Sequence, residues 1–354
     1  MHQDIYIIKI KKDGEKMTRL FVIGNGFDMA HNLSTSFEEF KKYIENRIKK
    51  SKKKKKANLF SIYAILNSAE GSYNCKANIL KDSDSSEWNL FETILAYIGS
   101  LNESEEYCKE NSFRNDMLQE NVLIDLQSLF TQWINSIDEH STRRTRLFKN
   151  DDLFLNFNYT KTLQKNYRFS VCNKNINHIH VLKNKCNKQH HYGHGENFIK
   201  EVESPGLDNE KINFFGLNTK KDTKNIIQNN KRFYEKLQKS KIKELFFWGF
   251  SLSEVDKPYI EKIFEDNKST ITKVYLSKYQ FNSRDKVKFV EFLKKYNLEN
   301  KLESFNDHLI DNKTMKPFKR FISTIVFCIF VYQGVRMILG LNEVIKSKRI
   351  NELI

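Results

Sequence analysis

The sequence predicts an α/β fold, a parallel sheet with helices on both faces and a mostly helical insertion. Three observations carry this expectation. Short apolar runs stop abruptly at glycine: Leu20-Phe21-Val22-Ile23 before Gly24, and Leu245-Phe246-Phe247-Trp248 before Gly249. Helical patterns separate the runs, and strands that alternate with helices lie parallel and buried on both faces. The 354 residues are 39% hydrophobic and 13% aromatic, with 3 Pro and 12 Gly, so the chain can bury a large core and is neither disordered nor fibrous.

Met17 directly precedes the first run, so residues 1–16 read as an extension and Met17 as an alternative start. Gly24-Asn25-Gly26 reads as a turn. Ser36 with Glu39 three residues on is a capping box and predicts a helix from there, with Phe37, Phe40, Ile44 and Ile48 on its apolar face. The lysine run from Lys49 to Lys56 reads as a solvated loop or, as the alternative, a nucleic-acid patch. Helical patterns follow from Trp88 to Glu92 and from Leu118 to Ile137, the latter with Leu123, Leu126, Phe130 and Trp133 as its stripe. They mark residues 57–150 as the insertion.

Strand signals return at Leu153 to Phe157, Ile176 to Leu182, Leu245 to Trp248 and Val274 to Ser277. Helices are expected after Pro258 and from Arg284 to Tyr296. The α/β domain thus covers residues 17–311 and the remainder, 312–354, is an apolar and basic tail. Phe321 to Val335 is uncharged, but a membrane span needs about 20 apolar residues. A span over 319–341 would take in Arg336, at about 2.5–3.5 kcal/mol near mid-bilayer. A buried or partner-docking helix and a membrane anchor both remain open for this segment.

The formal net charge of +16 admits an anionic partner. Abundant Lys, Asn, Ile and Phe together also arise from AT-rich coding, so nucleic acid is not the expected partner. The five cysteines, Cys75, Cys108, Cys172, Cys186 and Cys328, are scattered and odd in number. They form no disulfide framework, and no cleavable signal opens the chain, which makes a reducing cytoplasm the expected location.

Four groups carry candidate chemistry. Gly24 and Gly26 end a strand, where glycine lets a backbone approach a phosphate and free amides can hold an anion. Met29 stands where a third fingerprint glycine would fall. Asp28 adds a carboxylate at the same mouth, suited to a ribose hydroxyl or a water. Asn158, Tyr159 and Thr160 follow the next strand and would point into the same crevice, unless Asn158 or Thr160 merely caps a helix. His178 and His180 alternate on one strand, and either is a candidate base or a satisfied histidine. Gly249 opens the last group: Ser251 or Ser253 can cap the next helix, and Asp256 can accept from a ribose. Cys172, Cys186, His190 and His194 have no recognised zinc spacing, so no metal is expected.

These motifs resemble the AbiH proteins, a bacterial abortive-infection family. Ile23-Gly24-Asn25-Gly26-Phe27-Asp28 with Leu33-Ser34-Thr35-Ser36-Phe37 is similar to the family's opening. Trp88 to Glu92, Phe157 to Thr160, Ile179-His180, Gly193-His194-Gly195 and Gly249 to Asp256 recur in the family's order. The resemblance covers roughly residues 17 to 310. It implies a Rossmann-like, sirtuin-like domain that binds NAD, as substrate or ligand. Gly24, Asn25, Gly26 and Phe27 would then bind the dinucleotide with Tyr159 and Thr160. Gly249, Ser251 and Asp256 would close the adenosine side, and Asn158, His180 and Asp28 would be catalytic. One departure is His180-Val181, where the family has His-Gly.

The expected function is therefore phage defence through a nucleotide site that hydrolyses the nicotinamide–ribose bond. Alternatives are a non-catalytic nucleotide sensor signalling to a partner and a nucleic-acid-binding protein. A phage-derived trigger and self-association are the partners the resemblance implies besides the nucleotide.

Overall fold

The computed structural model describes residues 18–52, 59–60, 62–63, 66, 88, 120–141, 143–180 and 221–311. In chain order the elements are β1 (Thr18–Ile23), α1 (Asn25–Ala30), α2 (Phe37–Lys50), α3 (Glu120–Ser136), β2 (Arg143–Arg144), β3 (Leu153–Asn156) and α4 (Thr162–Asn166). They continue as β4 (Ile176–His178), α5 (Thr223–Asn229), α6 (Lys231–Ser240), β5 (Ile242–Trp248), α7 (Lys257–Asn267) and β6 (Lys273–Ser277). The last are α8 (Lys278–Phe281), α9 (Asp285–Lys294), β7 (Leu302–Phe305) and β8 (Ile310–Asp311). Contacts divide the chain into two compact units: residues up to 141 with 145–308, and residues 142–144 with those from 309 onward. In the second unit β2 and β8 pair antiparallel, Arg143 opposite Asp311.

The first unit holds a six-stranded sheet in the order β4-β3-β1-β5-β6-β7, with every neighbouring pair parallel. From β1 the chain works outward through β3 and β4, then returns to the other side of β1 as β5 and works outward through β6 and β7. The direction of winding therefore reverses between β1 and β5. Parallel sheets take ligands in the crevice that such a reversal opens beyond the carboxyl ends of the strands.

Burial on both faces explains why β1 reads as an unbroken apolar run: Leu20, Phe21, Val22 and Ile23 are all fully buried. Its alternate residues serve different cores. Leu20 and Val22 join an aliphatic cluster with Leu245, Phe247, Val274 and the apolar faces of α6, α7 and α9. Phe21 faces the other way into a ladder of stacked rings, Phe154, Phe21, Phe246 and Tyr275, at centroid spacings of 5.4, 4.5 and 4.5 Å. Phe148 closes on the ladder edge-on, 5.1 Å from Phe21 and from Phe154. The buried Arg19 forks onto Asp152 at 2.8 and 2.6 Å and ties β1 to the turn before β3.

A second core belongs to the helical insertion. Phe37, Phe40, Ile44 and Ile48 of α2 meet Leu126, Phe130 and Trp133 of α3, with Trp88 packed against them. The predicted cap is in place, Ser36 accepting from the Glu39 amide at 3.2 Å. Sequence and structure differ at the first turn. Helix α1 starts at once after Gly24, whose own backbone is extended (φ −118°), where a loop up to Ser36 was expected. Packing against the β5 loop outweighs the poor helix propensity of Asn25-Gly26. The strand expected to reach Leu182 stops at His178, so His178 and His180 are not alternate residues of one strand. Helices α5 and α6 and the edge strand β7 went unforeseen, the last because only Leu302 and Phe305 of its four residues are apolar.

Residues 1–16, the lysine run from 53, Leu90 to Glu92, Gly193-His194-Gly195, His190, Cys186 and the tail 312–354 lie outside the described residues, so those expectations stay as expectations. Among the described residues no helix is long and apolar enough to cross a membrane.

Candidate functional site

A cavity of about 620 Å³ opens beyond the carboxyl ends of β1, β3 and β5. That is within the range of small-molecule and cofactor sites, about 300–1,000 Å³. Each strand delivers its following loop to one part of the lining.

The β1 and β5 loops meet backbone to backbone. The Gly24 amide donates to the Trp248 carbonyl and the Gly26 amide to the Gly249 carbonyl, both at 3.0 Å. A Cβ on Gly24 would fall 2.4 Å from the Gly249 oxygen, and one on Gly26 2.6 Å from the Gly249 Cα. Gly249 itself has φ +63°, and a Cβ there would meet the Phe27 nitrogen at 2.3 Å. The glycines are thus needed for each other. Their expected role as free amides for a phosphate is corrected at Gly24, Gly26 and Phe27, because all three amides already bond within the protein, Phe27 to the Gly24 carbonyl at 3.0 Å. Gly24, Asn25 and Gly26 still border the cavity; Phe27 does not. Its ring is fully buried against Trp248, edge-on at 4.9 Å.

A residue that sequence reasoning missed holds this junction. The buried Gln280 accepts from the Gly249 amide at 2.7 Å and donates to the Phe250 carbonyl at 2.8 Å. Its amide also reaches the Asp285 carboxylate at 3.4 Å. No local pattern marks Gln280, since its partners come from a different loop.

The opposite wall comes from α1 and the β3 loop. Asn156 at the end of β3 accepts from the Asn158 amide at 2.9 Å and shapes the turn. The Thr160 hydroxyl donates to Asp28 Oδ2 at 2.5 Å, with the Thr162 hydroxyl 2.9 Å behind it. Asn158 and Thr160 cap no helix: the N-cap of α4 is Lys161, without a side-chain bond. Asp28 is 2% exposed and Asn158 5% exposed. Asp28 Oδ1 and Asn158 Nδ2 are nonetheless buried without a hydrogen-bond partner in the protein. Burial pushes the Asp28 carboxyl up to about 7. The Thr160 and Thr162 hydroxyls pull against this, the Glu139 charge adds to it, and the Asn158 amide opposes it weakly.

Tyr159 and His180 extend this wall, their rings stacked at 4.8 Å and 13°. His178 lies apart from the lining; it pairs with Gln164 and faces the Asn158 carbonyl at 3.4 Å. Of the two candidate histidines, His180 borders the cavity.

The third part follows β5. Ser251 and Asp256 border the cavity, and Ser253 caps the turn by accepting from the Asp256 amide at 3.2 Å. Asp256 lies 3.8 Å from the buried Lys221 ammonium, yet its Oδ1 has no hydrogen-bond partner. Burial raises its carboxyl above the usual range, against the pull of Lys221 and of the Ser253 hydroxyl. Among the described residues no group of three or more His, Cys, Asp or Glu is placed to hold a metal ion.

Of the twelve residues to which the resemblance assigns a site role, eleven therefore meet at one cavity: Asp28, Asn158, His180, Gly24, Asn25, Gly26, Tyr159, Thr160, Gly249, Ser251 and Asp256. A family model described as "Bacteriophage abortive infection AbiH" matches residues 20–277, which span this lining from β1 to β6. No curated protein and no solved structure compared with the chain matches it.

Proposed function

Since the chain belongs to the AbiH family of bacteriophage abortive infection proteins, we propose that its cavity binds NAD and hydrolyses the nicotinamide–ribose bond. The observation that carries this reading is the pair Asp28 Oδ1 and Asn158 Nδ2, buried without a well-formed hydrogen bond on the wall that His180 also borders. A buried polar atom left without a partner costs roughly 1–3 kcal/mol, so a protein keeps one where a ligand or water completes it.

The chemistry asks little else. In such a hydrolysis the C–N bond loosens ahead of attack, leaving positive charge on the ribose, as in glycoside hydrolysis. The bond electrons return to the ring nitrogen and free nicotinamide leaves. A water oxygen forms the new bond to the ribose carbon, and its proton passes to the His180 imidazole and on to solvent. Ionised Asp28 stabilises the developing cation, and the Asn158 amide orients the water or the ribose hydroxyls. The crevice between β1 and β5 suits a nucleotide by topology. The glycine junction shapes that crevice, with the amides of Gly24, Gly26 and Gly249 already engaged within the protein.

Purified full-length protein incubated with NAD, alone and with phage lysate, is the test. Release of nicotinamide that falls strongly in Asn158→Ala is expected. No release from the wild type under either condition, or equal release from the variant, removes the reading.

A further inference from the structure

One end of the cavity is aromatic. Trp88 and Trp133 border it with ring centroids 5.6 Å apart, and Phe130 stands edge-on to Trp88 at 5.7 Å. Phe130 in turn meets Tyr159 edge-on at 5.3 Å. Trp88 is anchored by its indole nitrogen, which donates to the Thr35 carbonyl at 3.0 Å. The insertion helices and the β3 loop therefore present ring faces and edges to the same space that Asp28 borders.

The charge of the lining points the same way. The carboxylate that borders this end is Asp28; the lysine among the described lining residues, Lys221, faces Asp256 at 3.8 Å instead. Rings and a carboxylate together recognise positive charge spread over a flat group. An uncharged apolar ligand would leave Asp28 Oδ1 without a partner at this end of the cavity. The cation in question is flat, because the residues that border this end, Trp88, Phe130, Trp133 and Tyr159, are aromatic.

We propose that this end of the cavity is a receptor for a planar organic cation, the pyridinium ring of the nucleotide, held between the Trp88–Trp133–Tyr159 wall and the Asp28 carboxylate. The assignment to a pyridinium rests on the NAD reading above, whereas the preference for a flat cation rests on the wall itself. It gives the helical insertion a function: it builds the half of the site that holds the leaving group.

The test compares two probes of one shape. 1-Methylnicotinamide carries the ring charge; 3-methylbenzamide has the same outline and none. Both are titrated into the full chain by calorimetry, at a pH above 7. The charged probe is expected to bind about tenfold more tightly, the scale of a desolvated cation–ring contact. Asp28→Asn should abolish the preference, and Trp88→Leu should reduce it, each variant first shown to be folded by its thermal melt. Equal affinity for the two probes, or a preference that survives Asp28→Asn, overturns the receptor even where nicotinamide release from NAD is observed. A cation preference in a protein that releases no nicotinamide upholds the receptor and removes the hydrolase reading instead.

Discussion

The loops after β1 and β5 and the wall after β3 border the same cavity but treat their polar groups in opposite ways. At the glycine junction the amides of Gly24, Gly26, Phe27 and Gly249 all find partners within the protein. Its three glycines leave no room even for a methyl group. On the wall, Asp28 and Asn158 are as deeply buried, yet each keeps a polar atom without a partner. The junction's amides are satisfied by folding alone; the two wall atoms are not.

The sharpest way to break the comparison is Asp28→Asn. A junction-like residue would lose stability on substitution; a site residue should gain it and lose activity. Burial raises the Asp28 carboxyl from 3.8 to about 7, so the folded state resists the ionised form. The sign follows. Below about pH 4 the group is protonated both folded and unfolded and costs nothing. The cost grows between about pH 4 and 7 and stays constant above. At one pKa unit per 1.36 kcal/mol, the neutral amide should stabilise the protein by on the order of 4 kcal/mol above pH 7. Turnover should fall by about 100–1,000-fold, as when a preorganised charge-stabilising group is removed. Denaturant melts at pH 4 and pH 8, with nicotinamide release, check both. A destabilised variant at pH 8 would place Asp28 in the scaffold.

Gly249→Ala tests the other side. Its φ of +63° and the 2.3 Å approach to the Phe27 nitrogen involve backbone on both sides, which cannot swing away as a side chain could. We expect a loss of about 3 kcal/mol or more, seen as a lower denaturation midpoint. A midpoint near that of the wild type would mean the junction is looser than its geometry.

How much of this was legible in the sequence follows the same division. Leu20 to Ile23 announced a buried strand because both faces of β1 are covered, and Ser36 with Glu39 announced α2 because capping is local. Gly24, Gly26 and Gly249 are picked out and do border the cavity, but the close backbone approach they permit is to one another. That contact joins loops far apart in the chain, and no spacing encodes it. Gln280 was invisible for the same reason, since a glutamine after a strand is ordinary until Gly249 and Phe250 are known to face it. Phe27 sits within the opening motif, yet its ring serves the Trp248 core and stays out of the cavity. Asp28 was read as a mouth residue; its burial and its Thr160 bond emerge only once β1 and β3 lie side by side.

A smaller effect is expected from Asn158→Ala. The turn it occupies is held by its backbone amide on Asn156, which the substitution keeps. The amide nitrogen it removes makes no well-formed hydrogen bond and acts only weakly on the Asp28 carboxyl. Stability should therefore change by less than about 1 kcal/mol, while turnover falls by about 10–100-fold through lost orientation. A large drop in melting temperature would show that the side chain supports the fold, and would move the β3 loop to the junction's side of the comparison.

The mildest prediction concerns pH. If ionised Asp28 stabilises the ribosyl cation, kcat/KM should rise with pH and level off above about 7, the value to which burial lifts the carboxyl. Between pH 6 and 8 the rise should be about tenfold, since one unit below the pKa only about a tenth of the group is ionised. His180 borders the same cavity, so a variant must assign the inflection. The Asp28→Asn variant does: its residual activity should lose this step while any step due to His180 remains. The glycine junction contributes no titrating group, so Gln280→Leu should lower stability and leave the inflection where it is. An inflection that persists in Asp28→Asn, or moves in Gln280→Leu, would show that the wall's carboxylate is not what the reaction senses.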